Sequence, residues 1–370
     1  MEGDANMRVV PTEFIQDGAV LADDLFTIDG RVLMKRGARL SQNMLQKINQ
    51  NSIYMLYIDD EHSDQEVDRL IDPNLRQMAM QSVKNIFLAA GNRNAMGELK
   101  PQSIFDFMDE LNRLSDDIIY ELSGVKEKLV EYIDIKNIDN YLYLSSVNTA
   151  ILSLIIGMET GIPREKYRDL FLGGIFHDIG LAMLPREVLM KTSELSVDEK
   201  MMILMHPKTG HDFLKNQSFL SAHVKAVCLQ HHEHVDGSGY PMRVKRDKIN
   251  NMAQIVGIAD IYDAMTSDRP YRRAEEPMEA IEFLMGSAGT RYDQVIVNKF
   301  VEKINPYPIG SIVKLNNNTF GVVDKVNVGM PLRPQIRLIQ PNGSGWSYHP
   351  IDMKNETHLI IEGIHYGKPE

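Results

Sequence analysis

One cysteine, Cys228, stands among 370 residues. A lone thiol leaves no internal disulfide and excludes a cysteine-based zinc site, and it fits a reducing cytoplasm. A basic excess is also missing. The formal net charge is −11, which argues against a general binder of polymeric nucleic acid. A small phosphodiester held by a local cationic pocket and metals remains compatible with that charge. Long apolar runs are absent: the longest, near Ile151 to Met158, falls far short of a membrane span. The N-terminal residues lack a basic start followed by an apolar stretch, so no signal peptide is expected. No repeats or low-complexity tracts stand out. The expectation is a cytoplasmic globular chain without a membrane anchor, and its 43 % hydrophobic and 25 % charged residues are ordinary for that class. The length suggests two or three domains.

Residues 8–58 read as a small mixed or β-rich unit. Two short apolar runs flank Asp29-Gly30, a hairpin signal, and Ser41 opens a helix that a strand follows. The polar stretch after Ile58 reads as a linker. Residues 68–135 have helical apolar spacing and are expected to pack on the next domain or on a second copy of the chain. From Tyr141 to about Phe300 the pattern is helix after helix. One buried helix ends near Gly161 and Pro163. A second runs from Tyr167 to Leu184, through the His177-Asp178 pair, and its Gly173 and Gly174 allow close helix contact. A third runs from a Ser196/Glu199 capping box to Leu214. After Tyr307, alternating segments around Asn-rich and Gly-rich turns read as an antiparallel β module. The expected units are 1–60, 61–137, 138–305 and 306–370, in a mainly α chain with a small N-terminal α/β or β-rich domain and a small C-terminal β module.

Histidine is concentrated where the chemistry should lie. Seven of the 11 histidines fall between His177 and His234. His177-Asp178, His206, His231-His232 and Asp260 form an ordered series of imidazoles and carboxylates. Divalent metals that activate water for attack on phosphorus favour this donor mixture. Asp178 is placed to bridge two metals, with a bridging hydroxide as nucleophile. A single His-Asp pair says little, but an adjacent His pair on an apolar helix says more, because burying two imidazoles without partners is costly. His211, His223 and His234 read as surface or satisfied histidines. The turn formers from Asp236 to Pro241 should form a loop at the rim of the site. Beyond Asp260, arginines cluster at 269, 272 and 273, and guanidinium suits phosphate.

Three motifs in this order, HDIG at 177–180, HHEHVDGSGYP at 231–241 and IADIYDAMTSDRPYR at 258–272, resemble those of the HD-GYP family of bacterial phosphodiesterases. The similarity runs over roughly residues 138–300, and the flanking units look, more loosely, like segments that accompany such domains. The resemblance implies an all-helical HD-superfamily fold and hydrolysis of cyclic di-GMP, through pGpG and onward to GMP, or of a related cyclic dinucleotide. It implies two divalent metals, iron or manganese, on His177, Asp178, His206, His231, His232 and Asp260. Asp178 and Asp263, the latter one turn beyond Asp260, fall in the catalytic set, with Asp263 in support. Tyr240, Arg269 and Arg272 would contact substrate, and Gly239, Tyr240 and Pro241 form the naming loop. A protein partner at that loop is a further expectation, as is a homodimer through the helical or flanking regions.

The sequence departs from the family pattern at three places. Ser145 stands where the family carries its first histidine, and no histidine lies between His62 and His177. Tyr141 replaces the glutamate of three-metal members, which argues against a third metal. Leu181 replaces the lysine that follows the HDIG motif. A water or the Ser145 hydroxyl would fill the vacated donor position. The leading expectation is a metal-dependent cyclic di-GMP phosphodiesterase with a weakened two-metal site. The alternatives are a catalytically poor relative acting as a cyclic-dinucleotide sensor or protein-interaction module, and a nucleotidase of the wider HD superfamily. Neither flanking region shows a catalytic set or a phosphate loop.

Overall fold

The computed structural model describes residues 8–367 except 27–31, 51–54, 60–69, 93–97, 99, 125–129, 132–140, 192, 268–273, 328 and 344. The N-terminal unit contains β1 (Arg8–Pro11), β2 (Val20–Leu21), β3 (Leu25–Phe26), β4 (Val32–Met34), α1 (Gln42–Gln50) and β5 (Met55–Asp59). β5 is the centre of an antiparallel sheet ordered β1-β5-β2, and β3 pairs with β4. The Asp29-Gly30 turn lies outside the described residues, but the strands beside it form the hairpin. The Ser41 hydroxyl accepts from the Met44 amide at the start of α1. Val10, Leu21, Leu25, Leu45, Ile48 and Leu56 form a core belonging to this unit.

Next come α2 (Pro73–Ala90), α3 (Phe105–Gly124) and the short β6 (Val130–Glu131). Asp72 caps α2 by accepting from the Asn74 and Leu75 amides, with Pro73 in the first turn. This region packs on the following domain. Val83, Ile86, Phe87, Leu111 and Ile118 share a core with α4 (Tyr141–Glu159) and α5 (Tyr167–Phe176).

α4 is apolar nearly all round, as a central core helix should be. Its longest unbroken apolar run is short, yet the whole helix, polar residues included, is long and apolar enough to cross a membrane, which corrects the expectation from the run alone; 78 % of that window is buried inside the protein. α5 crosses it at a glycine: a Cβ on Gly174 would sit 2.5 Å from Ala150 Cα, and one on Gly173 would press on Val227. α6 (Arg186–Leu189), α7 (Val197–Leu204), α8 (His206–Leu214), α9 (Ala222–Gln230), α10 (Asn251–Met265), α11 (Pro277–Ser287) and α12 (Gln294–Lys303) complete the helical domain. The Ser196/Glu199 capping box opens α7 as the sequence implies.

β7 (Ile304–Asn305) pairs in parallel with β6. The chain ends in β8 (Ile312–Leu315), β9 (Phe320–Lys325), β10 (Gln335–Asn342), β11 (Gly345–Asp352) and β12 (Ile361–Ile364), an antiparallel sheet ordered β11-β10-β9-β8-β12. Val313, Leu315, Val323, Ile336 and Met353 form its core. Phe14 stacks on Tyr366 at 5.7 Å, joining the N-terminal unit to the C-terminal end.

Candidate metal centre

The local chain geometry aims each side chain. α5 stops at Phe176, and a 3-10 turn over Ile179–Met183 follows His177 and Asp178, so the helix expected to run on through this motif breaks at the His-Asp pair. A Cβ on Gly180 would lie 2.0 Å from the His206 carbonyl oxygen. Only glycine lets that turn lie on the backbone of α8, which brings Asp178 to His206. The helix expected from Ser196 to Leu214 is in fact two, α7 and α8, divided at Met205. Pro207 has no N–H to give the Ile203 carbonyl and its ring crowds that carbonyl, so one helix cannot run through and Pro207 sits instead in the first turn of α8, which accounts for the break. His206 therefore opens α8 and turns inward. His231 caps the end of α9, where a Cβ on Gly257 would come within 2.3 Å of its carbonyl oxygen. That close crossing sets Asp260, three residues further along α10, against the same centre.

All six residues of the series meet. Asp178 lies 2.8 Å from His206 Nε2 and 3.5 Å from both His231 Nε2 and His177 Nε2. Asp260 lies 3.6 Å from His177 Nε2 and 3.9 Å from His232 Nδ1. The donors form two groups: Asp178 with His206, His231 and His232, and Asp178 with His177 and Asp260. Asp178 belongs to both. Within each group the donor atoms lie inside 4.8 Å of one another, so each group could hold one cation.

The protonation pattern fits cations. His177 Nδ1 lies 2.6 Å from the Gly174 carbonyl, His206 Nδ1 2.6 Å from that of Ile203, and His231 Nδ1 3.0 Å from that of Cys228. A carbonyl only accepts, so each Nδ1 carries a proton and each Nε2 faces inward. His206 Nε2 and His231 Nε2 stand 3.3 Å apart. His177 Nε2 and Asp178 Oδ1 are buried without a hydrogen-bond partner. Inward-facing Nε2 atoms beside a carboxylate call for positive charge there, a proton on His177 in the metal-free protein or a metal in its place. Burial opposes charging of His177, but the carboxylates of Asp178 and Asp260 outweigh it and raise its pKa well above the ordinary imidazole value. Burial likewise opposes ionisation of Asp178, and the imidazoles of His177 and His206 reverse that, holding it well below the usual carboxylate range. Burial lowers the His231 pKa, and burial with His231 and His206 beside it lowers that of His232 further.

The rim loop folds back on the His pair. Tyr240 stacks on the His232 ring at 4.6 Å, and its amide donates to the His232 carbonyl. A Cβ on Gly239 would lie 2.4 Å from that carbonyl oxygen, so glycine permits the approach. Pro241 follows Tyr240 through a cis peptide. Arg269 and Arg272 lie outside the described residues. His211, His223 and His234 stand apart from the centre: His211 lies 3.9 Å from Asp212, His223 accepts from Asn250, and His234 shares a hydrogen bond with Ser238.

At the position where the resemblance places a histidine, the Ser145 hydroxyl donates to Asp263 Oδ2 at 2.6 Å, and Asn148 Nδ2 donates to Oδ1 at 3.0 Å. Arg76 of α2 in turn donates to Asn148. Asp263 is fully buried and belongs to neither donor group. Leu181 is half-buried in the 3-10 turn. Sequence reasoning missed Arg76 and Asn148, which lie 72 residues apart with no shared motif. It also passed over Glu233, whose only signal was its place beside the His pair.

Residues 135–296 match the family model described as an HD domain. A cyclic di-GMP phosphodiesterase of Pseudomonas aeruginosa is 32 % identical over 225 residues, covering 61 % of this chain and 54 % of that protein. The cyclic di-GMP phosphodiesterase PdeB of Borreliella burgdorferi is 29 % identical over 204 residues, 55 % and 54 % of the two chains. The chain spans about half the length of these curated relatives. Among solved structures, an HDG"Y"P protein from Bdellovibrio bacteriovorus aligns with a TM-score of 0.48 at 12 % identity, over 80 % of this chain and 98 % of that one.

Proposed function

We propose that this chain, whose residues 135–296 match the HD-domain family model and whose motifs resemble the HD-GYP form, hydrolyses a phosphodiester bond of cyclic di-GMP or a related cyclic dinucleotide. The observation that carries this reading is the membership of Asp178 in both donor groups. Such sharing is what a two-metal hydrolytic site requires. His206, His231 and His232 would hold one divalent metal and His177 and Asp260 the other, with iron or manganese suited to the imidazole and carboxylate donors. Metals bound there would activate water and offset charge on the phosphoryl oxygens.

The protein's own groups do the rest. Backbone carbonyls fix the ring orientation of His177, His206 and His231, so their Nε2 atoms point inward before any ligand arrives. Tyr240 covers His232 and supplies an aromatic face at the rim for a base or ribose. Arg269 and Arg272 take the phosphates in this reading. Ser145 serves Asp263 rather than a metal, and Leu181 offers no cation to the phosphate or the departing oxygen. A cytoplasmic location fits, with Cys228 a buried free thiol.

The test is turnover. Full-length protein loaded with manganese or ferrous iron is incubated with cyclic di-GMP, and the expected result is linear pGpG. Those two departures favour a second reading, a sensor that binds the dinucleotide without cleaving it. Saturable binding with no linear product would establish that second reading over the first.

A further inference from the structure

Glu233 follows the His pair directly, yet it points away from the metal donors. It is 4 % exposed. One carboxylate oxygen accepts from the amides of Met242 at 2.6 Å and Arg243 at 3.1 Å, and the other from Val244 at 3.0 Å. No salt-bridge partner for it occurs among the described residues. Burying a carboxylate without a cation is costly unless its lone pairs are filled, and successive amides converging on it form an anion nest. Arg243 has φ of 56°, the left-handed geometry that turns consecutive N–H groups toward one point. The backbone therefore adopts an unfavourable conformation for a non-glycine residue in order to close on this carboxylate.

The clip acts on what lies between its ends. The segment from His234 to Pro241 is anchored at its start by Val235 and Asp236, whose amides donate to the carbonyls of Arg291 and Thr290 at 3.0 and 3.1 Å. Glu233 anchors its far end. Inside that span, Tyr240 lies on His232, which with 26 % side-chain exposure is the most open of the clustered imidazoles. The 242–244 amides bound to Glu233 hold the chain just beyond Tyr240, whose own amide donates to the His232 carbonyl.

We infer that Glu233 is a positioning residue. By fixing the 242–244 amides it sets Tyr240 over His232 and so shapes the rim that receives the dinucleotide, governing substrate affinity rather than metal loading. This rests on the hydrolase reading for its substrate but not for its geometry. In Glu233→Gln the side-chain volume is kept while one end loses the ability to accept. Assayed as the manganese-loaded full chain on cyclic di-GMP, Glu233→Gln should raise KM about tenfold or more with kcat within about twofold. Metal content per chain should be unchanged. An unchanged KM, or a fall in metal content alongside KM, overturns the inference. A wild type that neither cleaves nor binds cyclic di-GMP defeats the functional reading instead. The clip itself is then judged by amide hydrogen exchange in the wild type. Protection of the Met242, Arg243 and Val244 amides supports it, and exchange at the rate of an unbonded loop overturns it, whether or not the variant folds.

Discussion

The hydroxyl of Ser145 on α4 donates a 2.6 Å hydrogen bond to the carboxylate of Asp263 on α10, across 118 residues of sequence. With Asn148 on the other oxygen, the pair joins two central helices one turn from Asp260. Replacing Ser145 by alanine removes that hydrogen bond from a buried carboxylate. The expected cost is about 1–3 kcal/mol in unfolding free energy, read by denaturant titration, with metal content unchanged. A loss of metal with unchanged stability would assign Ser145 to the metal shell instead.

The residue after the HDIG motif is where activity should be most easily gained. Leu181 is half-buried, so a lysine there can reach out of the turn with its stem packed. Leu181→Lys is expected to raise kcat several-fold, on the order of 1 kcal/mol of added stabilisation of phosphoryl charge. Steady-state kinetics on the manganese-loaded protein check this, and an unchanged kcat means that another group limits turnover.

Metal uptake should depend on pH in a defined direction. His177 has a pKa raised well above the imidazole norm, so its Nε2 carries a proton at neutral pH in the metal-free protein. Asp178 is already ionised. A metal must displace the His177 proton, so affinity for manganese should rise with pH until the raised value is passed. For the metal-free protein the sign is opposite. The stability from charged His177 is fully present below the unfolded pKa of about 6.5 and is lost as pH climbs through the folded value. Calorimetric titration of manganese in two buffers of unlike ionisation enthalpy detects the released proton, and no release at pH 7 would contradict the assignment.

Much of this was legible because the chemistry is written in residue types and short spacings. The His-Asp pair, the His pair, the Ser196/Glu199 box and the turns of the C-terminal sheet are local. What was missed is either a break or a distant meeting. The single helix expected from Ser196 to Leu214 ignored Pro207, which splits it and turns His206 inward. Arg76 meets Asn148, and Asn148 meets Asp263, through tertiary packing that no period in the sequence encodes. Glu233 sits next to two imidazoles with no local pattern that says what it binds. Only the fold shows that it faces the amides of its own loop.

Gly180 offers a sharper structural test. A Cβ there would sit 2.0 Å from the His206 carbonyl oxygen and 2.8 Å from the Gly210 nitrogen, both backbone atoms that a rotamer change does not move. Gly180→Ala should cost roughly 1–3 kcal/mol or more by overpacking. Because it pries α8 from the turn, it should also weaken metal binding. Thermal unfolding and metal content measured on the same sample decide this, and a fully stable, fully loaded variant would refute the packing described.

The site turns on Asp178 being shared between two donor groups. Counting divalent metal in purified full-length protein, beside an Asp178→Ala variant confirmed to be folded, tests that sharing directly. Two metals per chain in the wild type and at most one in the variant are expected. One metal or none in the wild type, or the same count in both proteins, would contradict a two-metal centre built around Asp178.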